Sequence, residues 1–378
     1  MRVVFLTHNY LSKAGDTSGA PLATLARALL RRGLSVRIIA PAGEGGEAVV
    51  DGVPVLRVRV PRSVRDMVSS NDRVAATLRS PMGWLALRRL RRALRTAAHQ
   101  EMTAGADLLH AHRWLPAGLA APPGVPLIVT VYGTDAALLK QSRIARSLAR
   151  PILQRATAVT AVSKEVGNWV QAAAGRLVDP GHIHPMPADT RAYPWTRGGG
   201  GAVVISRLVP TKRVELALET VAMLASHGHD LPLTIVGDGP ERASLEQRVV
   251  RLGISALVRF VGARSGPEAR AYFERADIML FTARGDGVAR AAIEALACGV
   301  PVVACWDSGA AVDIVPESGP GRLTLPSAEA IADSVMDLQA DPDRLAMGRL
   351  VGESWRARIA PDHVAELCEG WYRNALAG

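Results

Sequence analysis

Short apolar runs alternate along the chain with segments whose apolar residues recur at helical spacing. The run 3–7 precedes a helical pattern over 21–32, and Gly33 separates that pattern from a second run, 35–40. Strand-length runs that alternate with helical segments are typical of α/β proteins with parallel sheets. Further strands in this half of the chain are predicted over 55–60, 108–112, 127–132 and 158–162.

Four consecutive glycines at 198–201 interrupt this alternation. Because a glycine run cannot hold the interior of a helix or strand, 193–201 is predicted to be an interdomain linker. The alternation then starts again, which predicts a second α/β domain. Its strands are predicted over 202–206, 233–236, 258–261, 278–282 and 301–305, and its helices over 214–226, 241–252, 267–274 and 289–297.

These patterns predict an N-terminal domain over 1–195 and a C-terminal domain over 196–355. A length of 378 residues suits two domains, since a single hydrophobic core stops growing at about 250–300 residues. Parallel sheets bind ligands at the carboxyl ends of their strands. Two such sheets joined by a hinge predict a deep cleft between the domains as the ligand site.

Composition excludes several classes of protein. Apolar residues make up 48% of the chain, which is too many for a disordered protein. No apolar stretch reaches the roughly 18 residues of a spanning helix, and 1–10 lack the long apolar run of a signal peptide. Three widely spaced cysteines form neither a disulfide framework nor a zinc cluster, and they indicate a reducing cytoplasm.

The net charge of +10 is concentrated in the first half of the chain, where 1–195 carry 26 basic and 12 acidic residues. The excess is densest over 62–95, beside the apolar residues Met82, Trp84, Leu85, Leu87, Leu90 and Leu94. Such a stripe suits contact with the inner face of an anionic membrane or with an anionic acceptor. Compositional bias is the preferred interpretation, since only four of the 45 basic residues are lysine. Nucleic-acid binding is not expected, because no recognised motif is present.

The strongest chemical signal lies where the predicted strand 278–282 leads through a loop into the predicted helix 289–297. The loop contains Asp286, and Glu294 follows within the helix. Because helix N-termini expose unpaired N–H groups that favour anions, the backbone of 287–289 is predicted to bind a diphosphate. Taken alone, Asp286 would be interpreted more simply as a helix N-cap, and that interpretation would be preferred.

Two cations in the same domain strengthen the diphosphate prediction. Arg207 and Lys212 lie between a predicted strand and a predicted helix, in the sequence VVISRLVPTKRVELAL over 203–218. Two cations there can neutralise a diphosphate leaving group, with arginine offering two parallel hydrogen bonds. The alternative is an exposed basic loop. No Asp-x-Asp metal motif accompanies these residues, so no metal ion is predicted.

The turn VGDGP over 236–240 follows another predicted strand, and Gly237 begins it. A dinucleotide-binding fingerprint would require a further glycine where Arg242 stands, so an NAD-dependent oxidoreductase is disfavoured.

Together these motifs resemble retaining glycosyltransferase family 4. Asp286-x7-Glu294 followed by EALACGVPVVA resembles the Glu-x7-Glu signature of that family, and Arg207 and Lys212 match its Gly-Arg-Leu-x3-Lys-Gly motif. The resemblance implies the GT-B fold, with two Rossmann-like domains that face a deep interdomain cleft. It also implies metal-independent transfer from a nucleotide-sugar donor, which is a substrate, so no cofactor is expected.

The resemblance also implies roles for individual residues. Asp286 would contact the donor sugar, Glu294 the ribose, and Arg207 and Lys212 the diphosphate. The backbone amides of Gly287, Val288 and Ala289 would bind the diphosphate, Val261 the base, and Gly19 and Gly237 would lie close to the donor. In the predicted C-terminal domain four positions depart from the family: Asp286 replaces Glu, and Ala289, Ser206 and Arg213 replace glycines.

Candidate acceptor-side residues lie in the predicted N-terminal domain. They are Asp16, His112, Tyr132, Asp135 and Ser163, and Tyr132 stands where the family usually has a histidine. Because tyrosine does not titrate near neutral pH, no histidine-dependent step is transferred to this chain. The segment 356–378 resembles the helix that returns to the first domain in the GT-B fold, with its aromatic residues packing there.

The implied function is retaining transfer of a sugar, from UDP or GDP, to a small-molecule acceptor of natural-product type. One alternative is a nucleotide-sugar epimerase or a phosphorylase of the same fold. A second is a membrane-associated transferase with a lipid acceptor, and a third is a sugar-nucleotide-binding regulator without activity.

Overall fold

The computed structural model describes residues 1–11, 19–67, 76–317 and 319–377. The chain divides into two compact units, Met1–Ala188 with Ile359–Gly378 and Asp189–Arg358. The predicted linker 193–201 therefore lies within the second unit. The N–H groups of Gly199 and Gly201 donate to the carboxylate of Asp277, at 2.9 and 2.8 Å, which ties the glycine run to that unit.

The sheet of the first unit has seven strands among the described residues. They are β1 Arg2–Leu6, β2 Ser35–Ala42, β3 Gly46–Val50, β4 Val53–Arg59, β5 Leu108–His112, β6 Leu127–Val131 and β7 Ala158–Ala161. The order across the sheet is β3-β4-β2-β1-β5-β6-β7, and every neighbouring pair is parallel except β3 and β4. The six parallel strands have the doubly wound order of a Rossmann fold, which reverses between β1 and β5.

The sequence pattern missed β3, because this edge strand is mostly exposed and has no apolar run. The turn that follows it does have a sequence signal. Asp51 and Gly52 adopt positive φ angles of 53° and 76°, and Asp-Gly is typical of tight hairpins with two such residues. The hairpin was therefore detectable from its turn although not from its strand.

Helices flank this sheet. They are α1 Ala20–Arg31, α2 Arg62–Asp66, α3 Pro81–Thr103, α4 Gly133–Gln141, α5 Arg143–Arg155, α6 Lys164–Ala174 and, at the end of the chain, α13 Pro361–Ala377. The core packs α13 against α1, with Val364, Trp371 and Tyr372 buried beside Phe5 and Leu25. The final helix is thus part of the first unit's core.

Helix α3, which contains the second half of the basic segment 62–95, directs much of its apolar side into the protein. Leu87, Leu90 and Leu94 of α3 are buried, whereas Met82 and Leu85 are 67% and 45% exposed. The three buried leucines, which the core requires, are therefore not available for contact with a membrane or an acceptor. No helix in the described ranges is long and apolar enough to span a membrane.

The second unit has a sheet of six parallel strands within its described residues. They are β8 Ala202–Ile205, β9 Leu233–Val236, β10 Val258–Gly262, β11 Ile278–Phe281, β12 Val302–Cys305 and β13 Gly321–Thr324. The order β10-β9-β8-β11-β12-β13 is again that of a Rossmann fold, reversing between β8 and β11. The predicted fold class of two Rossmann-like α/β domains is confirmed.

The helices of the second unit are α7 Val214–Ser226, α8 Arg242–Arg251, α9 Gly266–Arg270, α10 Arg290–Ala297, α11 Ala328–Ala340 and α12 Arg344–Arg358. The predicted helix 267–274 is divided, because α9 ends at Arg270 and a 3-10 turn covers Ala271–Arg275.

Candidate active site

The carboxyl edge of the second unit's sheet brings two loops together where the strand order reverses. One loop follows β8 and contains Lys212, and the other follows β11 and contains Asp286. The Thr282 hydroxyl donates to the carbonyl of Lys212 at 2.8 Å, and the N–H of Arg284 donates to the carbonyl of Thr211 at 2.8 Å. Ligands of doubly wound sheets bind at such a reversal.

Asp286 occupies the centre of this site. Its Oδ1 accepts hydrogen bonds from the N–H groups of Val288 and Ala289, each at 3.0 Å, and its Oδ2 forms an ion pair with Lys212. Burial raises the pKa of the Asp286 carboxyl, but Lys212 and the two amides outweigh burial, and the net pKa lies below its ordinary value. Two amides predicted to bind a diphosphate thus hold a carboxylate, in the loop directly before α10, whose N-cap is Ala289.

Two residues that replace family glycines adopt left-handed backbone conformations. Ala289 has φ 50° and ψ 41° at the start of α10, and Arg213 has φ 45° and ψ 45° at the start of α7. Because residues with a Cβ atom rarely adopt this conformation, both positions favour glycine. The chain therefore keeps the backbone geometry at both positions without the glycines.

Arg213 ties the two loops to a third. Its guanidinium donates to both carboxylate oxygens of Asp307, at 2.6 and 2.8 Å, and its Nε donates to the carbonyl of Thr282 at 2.9 Å. Sequence reasoning treated Arg213 only as a missing glycine. Its partners lie 69 and 94 residues away along the chain, so no local pattern could have identified this clamp.

Glu294 lies on α10 between two arginines. Its Oε1 accepts a hydrogen bond from Nε of Arg290 at 3.1 Å and lies 3.6 Å from Nη1 of Arg270. The Arg270 guanidinium also stacks 4.5 Å from the centre of the Tyr193 ring. The i,i+4 relation of Arg290 and Glu294 is visible in the sequence, whereas Arg270, on another helix, was missed.

Three further donor-side residues are predicted in this unit, Arg207, Gly237 and Val261. Arg207 is exposed, and no ion pair to it is found among the described residues. Gly237 has φ 150°, and a Cβ atom there would lie 1.7 Å from the carbonyl oxygen of Ser206, so only glycine fits. Val261 is half-buried in β10, at the edge of the sheet.

In the first unit, His112 and Tyr132 contact each other. Nδ1 of His112 and the hydroxyl of Tyr132 are 2.9 Å apart, and the same hydroxyl lies 3.4 Å from the sulfur of Met186. Burial, with a smaller effect of neighbouring His110, lowers the pKa of His112 well below its ordinary value. The imidazole is therefore neutral at physiological pH.

Asp135 and Ser163 have structural partners. The Asp135 carboxylate accepts from the N–H groups of Tyr132 at 2.9 Å and Trp114 at 3.2 Å, and burial raises its pKa to about 6. Ser163 caps α6, since its hydroxyl oxygen accepts from the N–H of Val166 at 3.1 Å.

Gly19 precedes α1 with φ 83°, where a side chain would be strained. Asp16 lies outside the described residues. In the part of the chain that the structure describes, no group of three His, Cys, Asp or Glu side chains could hold a metal ion.

Comparisons with known proteins match both units. Residues 22–188 match the family described as Glycosyltransferase Family 4, and 197–349 match that described as Glycosyl transferases group 1. The chain is 26% identical to the 2-deoxystreptamine glucosyltransferase of Streptomyces kanamyceticus, over 93% of this chain and 97% of that enzyme. It is 30% identical to a GDP-mannose-dependent alpha-(1-6)-phosphatidylinositol monomannoside mannosyltransferase of Mycolicibacterium smegmatis, over 60% and 66% of the two chains.

A solved structure supports the fold. Anabaena HepE in complex with UDP-glucose superposes with a TM-score of 0.68 at 20% identity, covering 99% of this chain and 100% of that one. The two matched regions and the shared GT-B fold therefore establish that the chain belongs to the family 4 glycosyltransferases, enzymes that use nucleotide-sugar donors.

Proposed function

We propose that this protein is a retaining, metal-independent glycosyltransferase that transfers a sugar from a UDP-sugar or GDP-sugar donor to a small-molecule acceptor. The observation that carries the proposal is the anion site of the second unit. There Lys212 and the amides of Val288 and Ala289 converge on one negatively charged group, the Asp286 carboxylate. A diphosphate is recognised by the same combination of a cation and helix N-terminal amides.

In this proposal the site stabilises the nucleoside diphosphate as it leaves. Lys212, the N-terminus of α10 and the exposed Arg207 oppose the negative charge that develops on the leaving group. Donors fixed in place for such charge contribute about 3–4 kcal/mol each to lowering the barrier. Glu294 holds the ribose, and the residues at the carboxyl edge of the first unit's sheet take the acceptor. A cytoplasmic location accompanies this function.

The acceptor class rests on the relatives. The relative that aligns over nearly the whole chain acts on 2-deoxystreptamine, by its name, and this supports a small polar acceptor of natural-product type. The relatives support two different donor bases, uracil and guanine, because HepE binds UDP-glucose and the mannosyltransferase depends on GDP-mannose.

The donor is identified by thermal unfolding with UDP, GDP, ADP and dTDP and their sugar conjugates, with and without EDTA. A ligand at 100 times its Kd stabilises the folded state by about 2.7 kcal/mol. We expect one base to raise Tm, equally with and without EDTA, and Lys212→Ala to abolish the rise. Lys140→Ala, an exposed lysine on α4, is the matched control. No response to any nucleotide, or a response that EDTA removes, would contradict the proposal.

A lipid acceptor is the second candidate, favoured by one surface. Met82 and Leu85 are exposed at the start of α3, followed on the same helix by the exposed Arg88, Arg89 and Arg92. Apolar side chains beside arginines suit the surface of an anionic membrane. Flotation with phosphatidylglycerol vesicles tests this: Met82→Asp with Leu85→Asp abolishes binding if the surface contacts lipid, while Val49→Asp, at an exposed valine of β3, leaves it intact. Equal flotation of all variants removes this candidate.

A further inference from the structure

Arg113 has an unusual backbone conformation at the carboxyl edge of the first unit's sheet. It directly follows β5 and has φ 86° and ψ 142°. A bulky residue at positive φ is a conformational outlier that persists only where its surroundings impose it, and such outliers cluster at functional sites. Its N–H donates to the carbonyl of Thr130 at 2.9 Å and its carbonyl accepts from Gly118 at 3.0 Å, which fixes the direction of the side chain.

The groups that contact the Arg113 side chain directly are neutral. One Nη1–H donates to the Thr134 hydroxyl at 2.6 Å, and the guanidinium lies 5.7 Å from the centre of the Tyr132 ring. The nearby carboxylate of Asp135 is already bonded to two backbone N–H groups. Within the described residues no carboxylate forms an ion pair with Arg113, so its charge is available to a ligand.

Two neutral imidazoles accompany this cation. His8 follows β1 and His112 ends β5, and these strands are neighbours in the sheet. Nδ1 of His8 and Nε2 of His112 are buried without a hydrogen-bond partner, and His112 is only 2% exposed. Burial, with a contribution from Arg113, lowers the pKa of His8 to about 3. Buried polar atoms without partners are rare and call for an explanation, and a bound ligand oxygen is one.

We propose that Arg113, together with His8 and His112, binds an anionic group of the acceptor, a carboxylate or a phosphate. The assignment to the acceptor rests on the proposed function, in which the first unit takes the acceptor. The same chemistry would recognise the diphosphate of the donor, but the groups expected to hold that diphosphate, Lys212 and the amides of α10, belong to the second unit.

The test uses inorganic phosphate and malonate as probes, titrated into the full chain by calorimetry. Titrations are made with and without a saturating concentration of the nucleoside diphosphate that the donor screen identifies. We expect anion binding to persist when the nucleoside diphosphate is bound and to weaken at least tenfold in Arg113→Gln. Arg150→Gln, at an exposed arginine of α5, is the matched control and should bind both probes as the unchanged protein does.

Arg113→Gly separates binding from folding. Because glycine tolerates φ 86°, this variant should unfold at or above the Tm of the unchanged protein and still lose anion binding. Anion binding that is unchanged in either Arg113 variant overturns the inference, as does absence of anion binding in the unchanged protein. Anion binding that disappears when the nucleoside diphosphate is present assigns Arg113 to the donor and also overturns it. Failure of the proposed function is distinguishable, because the unchanged protein would then bind no nucleoside diphosphate.

Discussion

Lys212 and Asp286 neutralise each other at the carboxyl edge of the second unit's sheet. The same carboxylate accepts the amides of Val288 and Ala289, so it uses three of the donors that a diphosphate would use. In the proposed function, an incoming nucleoside diphosphate would therefore compete with a side chain of the protein itself. The family signature has glutamate at this position, and a side chain longer by one methylene group would place its charge elsewhere.

This competition predicts that Asp286→Asn binds the nucleoside diphosphate more tightly. Asparagine keeps an oxygen for the two amides and removes the negative charge beside Lys212. We expect Kd to fall about tenfold, or about 1.4 kcal/mol, at low ionic strength. Calorimetry with UDP and GDP measures it, and Asp337→Asn, which removes an exposed carboxylate that pairs with Arg322, is the control. Weaker binding by Asp286→Asn would instead mean that the negative charge of Asp286 contributes to binding of the nucleoside diphosphate.

Removing Lys212 should lower activity without unfolding the protein. Lys212→Ala deletes a cation that opposes the charge of the leaving diphosphate, and kcat/KM should fall about 10²–10³-fold. Steady-state kinetics with the identified donor measures this, and circular dichroism checks the fold. A folded variant with unchanged turnover would show that Lys212 serves only to pair with Asp286.

Glu294 and its two arginines give a third prediction. Glu294→Ala should lower kcat/KM strongly in a folded protein if Glu294 holds the ribose. Arg270→Gln should raise the KM of the donor more than Arg290→Gln, because the Arg270 side chain is 14% exposed and that of Arg290 is 63% exposed. Exposed ion pairs contribute little, whereas loss of one partner of a buried pair is costly.

A donor that lacks the ribose 2′-hydroxyl provides the control for this assignment. The unchanged protein should discriminate against this donor, and Arg270→Gln should discriminate less if Arg270 positions Glu294 for the ribose. Equal discrimination by the two arginine variants would contradict a positioning role for Arg270.

Three histidines with lowered pKa values predict that the first unit loses stability in acid. His110 and His112 are buried, and His8 is half-buried. Burial lowers the pKa of His8 and His110 to about 3 and that of His112 well below its ordinary value. The unfolded chain binds these protons below about pH 6.5 and the folded chain does not, so stability is full above that pH and falls as pH decreases towards 3. Asp135 acts oppositely between about pH 6 and 4, because its raised pKa makes the folded chain bind the extra proton.

Urea unfolding between pH 7.5 and 5 measures this dependence. Each histidine contributes a slope of up to about 1.4 kcal/mol per pH unit. His110→Asn should reduce the slope by the share of one histidine, whatever its effect on stability at pH 7.5. An unchanged slope in that variant would mean that His110 is not the group that resists protonation.

The fold was predictable because strands of parallel sheets are buried on both faces and therefore appear as continuous apolar runs. The strands β5 and β6, for example, are fully buried, and both were predicted to within one residue of their observed ends. The strands missed, β3 and β13, are edge strands with exposed or half-buried polar residues. Their apolar pattern is too weak to distinguish them from loops.

The candidate site was predictable only as far as local spacing reaches. The motif spacing identified Lys212, Asp286 and Glu294, and the prediction of their roles remains to be tested. It did not reveal that Asp286 pairs with Lys212, 74 residues away, or that Arg270 lies beside Glu294. Such pairs are formed by tertiary packing, and they cannot be identified from the local spacing of residues in one sequence.

The packing of α13 against α1 has a consequence for biosynthesis. Residues 189–358 form the second unit and leave the ribosome before α13, while the core of the first unit requires Val364, Trp371 and Tyr372. The hydroxyl of Tyr372 also forms a 2.9 Å hydrogen bond with Nδ1 of His110, a residue of β5. The unit that is translated first can therefore complete its core only after the second unit has been translated. Until α13 is synthesised, the apolar surface of the first unit that α13 covers stays uncovered.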